Sequence, residues 1–210
     1  VTTDGTRFFA SFSCDKPYYR VLANGLWGPT TAITDGPNKS LGACIAVSPT
    51  GEIAAAWHEN LAGNNYWDVF VKFSVDGGAS WSEPVNVSSD PWLSRDPEMT
   101  YDASGTFHII YQKFAADGQQ PDLWYRRRAG AAWDAALNLT ATTGRTGAPI
   151  QALQAKGADL HLVYTDNSAD GEEEVFYSVN AGATSGPLPP TSATNVADPN
   201  SSNTSSNTAG

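Results

Sequence analysis

KFSVDGGASWSEPVNVS, residues 72–88, sets an Asp, two glycines and a Trp between two alternating apolar runs. The chemistry suits a tight antiparallel hairpin. Gly77 and Gly78 tolerate positive φ, the Asp76 carboxylate is placed to accept hydrogen bonds from turn amides, and Trp81 is broad enough to cover the hairpin base. Upstream, GACIAVSPTGEIAAAW (42–57) is a second pair of apolar runs, hinged at Gly51. Every run is short, rich in β-branched or aromatic residues and bounded by Gly, Pro, Asn or Asp, which is the strand-and-turn pattern. No window sustains a helical period.

The chain aligns with itself at about fifty-two residues. A turn glycine recurs at Gly5, Gly51, Gly105 and Gly157, and an aromatic closes the following run at Phe12, Trp57, Tyr111 and Tyr164. A second aromatic column is Tyr19, Phe73, Tyr125 and Tyr177. A tryptophan column holds Trp27, Trp81 and Trp133, with Ser185 where a fourth is due. Four short antiparallel strands per repeat predict an all-β fold, a β-propeller of about four blades over residues 1–40, 41–94, 95–145 and 146–185. Residues 186–210 read as a Pro/Ser/Thr/Asn-rich linker or tail.

Ser74, Asp76, Gly78 and Trp81 match S-x-D-x-G-x-x-W, and the stretch resembles the Asp box, or BNR repeat, of the sialidase-like propellers. The resemblance spans residues 1 to about 185, with one complete box and three degenerate copies, RVLANGLW, RRRAGAAW and SVNAGATS. It implies that these four residues are structural and lie away from any active site. Parity agrees: in an up-down meander the first and third turns share one edge, and the second turns and inter-blade loops share the other. The resemblance also implies arginines for a sugar carboxylate, a Tyr–Glu nucleophile pair and an Asp acid/base. The family's Arg-Ile-Pro motif is absent, Arg95-Asp96-Pro97 being a partial echo, and the catalytic set is not assignable: Tyr111 and Tyr164 read as core or rim, and Glu98 and Asp96 carry nothing specific.

The first repeat has only Val1 as a trace of an inner strand. Three arrangements stay open: part of a six- to eight-bladed ring, a unit completed by oligomerisation, or a small ring whose missing inner strand is TSATNVADP. Open strand edges invite pairing with another chain. Starting at Val1, the sequence shows neither an initiator Met nor a signal peptide, as expected of a processed product or an excerpt.

Acids outnumber bases 22 to 12 for a formal charge of −10, which argues against nucleic acid as partner. No stretch is long and apolar enough to insert in a membrane. The Trp-rich, Lys-poor, Ser/Thr/Asn-rich composition points to an extracellular or secreted protein. Cys14 and Cys44 fit no metal or redox motif and read either as a disulfide or as two small buried hydrophobes. Asn38-Lys39-Ser40 and Asn138-Leu139-Thr140 are glycosylation tripeptides.

The functional edge is expected where second turns and inter-blade loops gather. Lys39, Arg95 and Arg145 each stand just before an inner strand there, either as a carboxylate-binding set or as ordinary surface pairs. Tyr66, Trp67 and Trp92 are candidates to stack on sugar faces or to pack the blade edge. His58, at a strand end beside Glu59, is the histidine to test, and Asp96, next to Arg95, is a further candidate; His108 and His161 are expected to pack inside blades. Asp166, Ser168, Asp170 and Gly171 echo a calcium loop, but position twelve is Tyr177, so a solvated acidic hairpin is expected. No metal or cofactor is expected. The leading reading is a carbohydrate- or small-polar-ligand-binding or scaffold propeller without catalysis; the alternatives are a sialidase or related glycoside hydrolase and a self-assembling structural protein.

Overall fold

The computed structural model describes the chain apart from residues 1, 4, 6, 14, 15, 62–65, 90, 115–120, 142–145, 168–172, 181–192, 196–203 and 206–210. It is an all-β propeller of four antiparallel sheets. Blade 1 contains β1 (Thr2–Thr3), β2 (Phe8–Ser13), β3 (Pro17–Ala23), β4 (Leu26–Trp27) and β5 (Thr31–Ala32). Blade 2 contains β6 (Lys39–Val47), β7 (Ile53–Asn60), β8 (Trp67–Ser74) and β9 (Val85–Asn86). In blade 3 are β10 (Ser94–Tyr101), β11 (Phe107–Phe114), β12 (Pro121–Ala129), β13 (Ala132–Trp133) and β14 (Leu137–Asn138). Blade 4 has β15 (Thr146–Lys156), β16 (Asp159–Asp166), β17 (Glu174–Asn180), β18 (Ala193–Asn195) and β19 (Thr204–Ser205).

Period-2 alternation explains the packing, because it gives each blade two apolar faces. On β7, Ile53, Ala55 and Trp57 join Phe9, Tyr19 and Ile33 of blade 1, while Ala54 and Ala56 join Phe107, Ile109 and Tyr111 of blade 3. Ile110, Leu123 and Tyr125 of blade 3 meet Leu160, Leu162, Tyr164 and Phe176 of blade 4 in a third core. Strands covered on both sides lose their polar alternation, so β7 is buried from Ile53 through Glu59. Tyr111 and Tyr164 belong to these cores. His108 lies fully buried between Tyr125 Oη (2.8 Å) and Asp102 Oδ2 (3.3 Å), and His161 bonds Tyr177 Oη at 2.7 Å.

The 72–88 hairpin closes on its own side chains. Ser74 Oγ donates to Asp76 Oδ1 (2.8 Å), and the Gly78 and Ser80 amides donate to Ser74 Oγ and Asp76 Oδ1 at 2.9 Å each. With Ser80 as the main donor, these bonds hold the Asp76 carboxyl at a pKa of about 2. Tyr19 of blade 1 donates to the Gly78 carbonyl at 2.9 Å and meets Trp81 edge-on, centroids 5.6 Å apart. Blades 1 and 3 hold the same tryptophan differently. Arg20 and Arg126 occupy the Ser74 column, stack on Trp27 and Trp133, and donate to the Gly28 and Asp134 carbonyls at 2.9 and 3.1 Å.

Two expectations change. The first blade does have an inner strand, the two-residue β1 paired with Phe8 and Phe9 of β2. Part of TSATNVADP is not an inner strand: Asn195 and Thr194 pair with Phe176 and Tyr177, so β18 adds to the outer side of blade 4, and β19 follows it. Residues 193–195 and 204–205 thus belong to a sheet although the segment reads as linker or tail. An outer position asks only for backbone pairing on one edge, which polar Ser/Thr/Asn sequence supplies. Cys44 is a free thiol on β6, and Cys14 lies outside the described residues.

Gly78 sits at φ +92°, and a Cβ there would come within 3.0 Å of Tyr19 Oη, whereas Gly51 at φ +89° faces open space. Gly78→Ala is expected to destabilise by roughly 1–3 kcal/mol in urea unfolding, and more than Gly51→Ala, which carries the backbone strain alone. Equal losses would mean that the hairpin does not lean on blade 1.

Candidate functional site

Five of the seven residues nominated for ligand binding form one chain of contacts at the edge carrying the second turns. Register aligns Lys39, Asn60 and Trp67 across β6, β7 and β8. The Lys39 ammonium lies 6.0 Å from the Trp67 ring centre, and the His58 ring meets Trp67 edge-on at 5.1 Å. The Asp96 amide donates to His58 Nδ1 at 3.2 Å, its Oδ1 lies 3.8 Å from the same nitrogen, and its Oδ2 sits 3.3 Å from Arg95 Nε. Arg95 in turn covers Phe114 at 4.7 Å. Trp92 stands 36% exposed in the loop before β10, and Tyr66, 55% exposed, precedes Trp67. Arg145 lies outside the described residues.

β-bulges set this geometry. The inner strands of blades 2, 3 and 4 all break register at the same level, between Leu41 and Cys44, Arg95 and Glu98, and Thr146 and Gln151. Bulges turn a strand and re-aim its side chains. In blade 2 the bulge holds Gly42 at φ +65°, where a Cβ would be 2.5 Å from the His58 ring. In blade 3 Asp96 adopts φ +53°, a left-handed conformation that Asp tolerates, and turns its amide to His58. Gln151 of blade 4 donates to the Asp96 carbonyl, so three blades meet there.

Accepting a backbone N–H fixes His58 as the neutral tautomer protonated at Nε2. Burial pushes its pKa down to about 4, Arg95 adding to the effect and Asp96 opposing it. The inner strands surround a cavity of about 470 Å³, lined among others by Thr2, Ser11, Cys44, Glu98, Thr100 and Gln154 from all four blades. Burial raises the Glu98 carboxyl and the Cys44 thiol, each further raised by a nearby carboxylate.

Glu59 was not singled out as a site residue, yet it organises the floor. It is 8% exposed and accepts from Asn38 Nδ2 (2.7 Å), Trp57 Nε1 (2.9 Å) and Ser40 Oγ (3.2 Å). Two repeat-related clamps also escaped the sequence reading. Asp68 accepts from Asn86 Nδ2 (2.9 Å) and Ser88 Oγ (2.8 Å), and Asp122 accepts from Asn138 Nδ2 (2.8 Å) and Thr140 Oγ1 (3.0 Å). The tripeptides Asn38-Lys39-Ser40 and Asn138-Leu139-Thr140 therefore hold carboxylates within blades. The available signal was the repetition of Asn-x-Ser/Thr at Asn86 and Asn138, 18 and 16 residues after an Asp near the start of the third strand of the blade. Of the acidic loop 165–174, residues 168–172 lie outside the description, and Asp166 is buried and bonded to Thr146 Oγ1. Among the described residues no group of three or more His, Cys, Asp or Glu side chains is placed to hold a metal ion, and no helix is long and apolar enough to cross a membrane.

Compared with known proteins, the chain matches no family model and no curated protein sequence. Its fold is similar to that of a Hadza microbial sialidase (TM-score 0.54, 17% identity, 80% of this chain and 39% of that one). It also resembles a polysaccharide lyase of the PL25 ulvan lyase family (TM-score 0.62, 11% identity, 87% and 52%). An endo-arabinase from Bacteroides thetaiotaomicron aligns over 92% of this chain and 76% of its own, with TM-score 0.61 and 12% identity. The chain spans about two fifths of the length of the sialidase and half that of the lyase. At these identities the likeness is one of fold.

Two measurements test the site. Because the folded pKa of His58 is lower than its ordinary 6.5, the unfolded chain takes the proton first as pH falls. The stability this neutral His contributes is full above pH 6.5 and is lost progressively toward pH 4. His58→Gln keeps an acceptor for the Asp96 amide, so its urea midpoint should fall less than the wild type's over that window; parallel curves would exclude His58 as the titrating group. For the clamps, Asp68→Ala and Asp122→Ala should each cost about 1–3 kcal/mol, the cost of stranding buried polar partners. A neutral result for either would mean that water replaces that carboxylate.

Proposed function

We propose that this chain is an extracellular carbohydrate-binding propeller module, with Asp-box structure at Ser74, Asp76, Gly78 and Trp81 and its ligand site at the opposite edge. The observation that carries the reading is the Lys39–Trp67–His58–Asp96–Arg95 row at the second-turn edge. An indole face packs against the C–H face of a pyranose, and flanking ammonium, guanidinium and carboxylate groups suit its hydroxyl or carboxylate substituents. Trp92 and Arg145 extend the same surface in this reading. The fold neighbours include glycoside hydrolases and polysaccharide lyases, one of the latter bound to a GlcA–Rha3S glycan, which supports a glycan ligand here.

Tyr111 and Tyr164 are sealed in inter-blade cores, so neither is accessible as a nucleophile. One observation favours the hydrolase alternative: Glu98 lines the cavity as a half-buried carboxyl raised by burial, the condition of a general acid. Turnover of an aryl sialoside by the wild type, abolished by Glu98→Gln, would establish that alternative.

On a glycan array, Trp67→Ala is expected to weaken retention at least tenfold, about 1.4 kcal/mol. Arg95→Ala and Lys39→Ala should weaken acidic glycans more than neutral ones. Retention unchanged in all three variants would remove the site from this edge.

A further inference from the structure

Strand register lets the seams between blades be compared position by position at the second-turn edge. In the seam between blades 1 and 2, four positions form a closed polar clamp. Lys16, just before β3, donates to the carbonyls of Gly36 and Asn38, the latter at 2.7 Å. Asn38 Nδ2 (2.7 Å) and Ser40 Oγ (3.2 Å) donate to Glu59, which lies opposite Ser40 across β6 and β7. Blade 4 repeats the hydroxyl–carboxylate pair, with Thr146 Oγ1 donating to Asp166 opposite it.

The seam between blades 2 and 3 holds different chemistry at the same four positions. Tyr66 stands just before β8 as Lys16 stands before β3, and Trp92 precedes Ser94 by two residues as Asn38 precedes Ser40. Lys113 lies opposite Ser94, where Glu59 lies opposite Ser40. A carboxylate has thus been exchanged for an ammonium. Ser94 is 0% exposed, and its Oγ has no hydrogen-bond partner, unlike Ser40 and Thr146. Residues directly opposite on antiparallel strands share a face, so the Ser94 and Lys113 side chains stand together. The Lys113 ammonium lies 4.0 Å from the Trp124 ring centre, and Trp124 packs in the core between blades 2 and 3. The other two positions are open to solvent, Tyr66 at 55% and Trp92 at 36%.

We infer that the seam between blades 2 and 3 is a subsite for an acidic sugar, the Ser94 hydroxyl and Lys113 ammonium taking its carboxylate and Tyr66 and Trp92 its ring. The inference rests on the reading of this edge as a glycan surface; it adds the charge class of the ligand and two residues outside the Lys39–Arg95 row. A buried hydroxyl without a partner calls for an acceptor. Blade 2 supplies that acceptor from its own middle strand as Glu59, whereas blade 3 presents only donors there, so the acceptor has to come with the ligand. An ammonium carries three donors, and a contact to Asp122, opposite Lys113 on β12, does not exhaust it. The indole of Trp124 holds the charge in place beside the hydroxyl.

An array of uronide oligosaccharides printed beside their carboxyl-reduced counterparts tests this. Wild type should retain the uronides about tenfold better, and Lys113→Met, which keeps the stem on Trp124, should remove that preference without changing retention of the reduced set. Ser94→Ala should weaken uronide retention too, yet leave the urea midpoint unchanged because its hydroxyl has no bond to lose, whereas Ser40→Ala lowers the midpoint. Equal stability losses in the two alanine variants would overturn the proposal, since Ser94 would then be a structural donor. Uronide retention that survives Lys113→Met and Ser94→Ala but falls in Trp67→Ala would overturn this subsite and leave the glycan reading standing. Absence of retention on every glycan would overturn both. Competition by sodium acetate as effective as by sodium glucuronate would overturn it in favour of a bare anion site.

Discussion

Burial of each blade on both faces is the constraint from which the rest of this structure follows. A sheet with one wet face spends half its positions on polar residues; β7 spends none of its first six positions on an exposed one. The run Ala54-Ala55-Ala56 shows what close stacking demands. Small side chains on the middle strand admit Phe107, Ile109 and Tyr111 from one side and Phe9 from the other, so bulky and small residues alternate across the interface at interior density. With both faces committed to packing, polar chemistry is confined to the two edges and the axial cavity.

The fold was legible because its determinants are periodic. Alternation marks strands, the columns of Gly, Phe/Tyr and Trp repeat with the blades, and counting turns assigns each hairpin to an edge. That count put Gly51-type turns with the 72–88 hairpin, and Thr50, Gly105, Val75 and Gly130 do line one common hollow. What the columns touch was not legible. That Trp81 packs on Tyr19 depends on the angle between blades, which no single repeat encodes. Nor did composition show that polar residues after 185 would extend a sheet, because backbone pairing asks little of side chains.

The residues of the contact row at the second-turn edge were nominated from sequence, and their connections were not legible there. Position just ahead of an inner strand selected Lys39 and Arg95, position at a strand end selected His58, and an aromatic in a second-turn loop selected Trp67. The bond that unites them is made by the backbone of Asp96 in a left-handed conformation, and a non-glycine residue gives no sequence sign of that. Gly42 gives one only in retrospect, once His58 is seen against it. Glu59 was hidden differently: its three donors come from positions 2, 19 and 21 residues away, and only the register of β6 on β7 brings them together.

Both edges join blades through polar bonds, and the hairpin edge adds bonds that close within single turns. At the hairpin edge, Asp76 bonds Ser74 and Ser80, and Asp102 bonds Ser104 and Thr106, all within four residues. These turns close on their own side chains, and Tyr19 and Tyr101 add bonds at this edge to neighbouring blades. At the opposite edge His58 takes its hydrogen bond from Asp96, 38 residues on, and Asp96 takes one from Gln151, 55 residues further. These bonds exist only when blades 2, 3 and 4 are docked. Cations there rest on aromatic faces, Lys39 on Trp67, Arg95 on Phe114 and Lys113 on Trp124, which keeps positive charge in place on a chain whose formal charge is −10. An edge whose groups are fixed by inter-blade packing is preorganised as a surface, so the cost of ordering it is met in folding and not at the moment of binding.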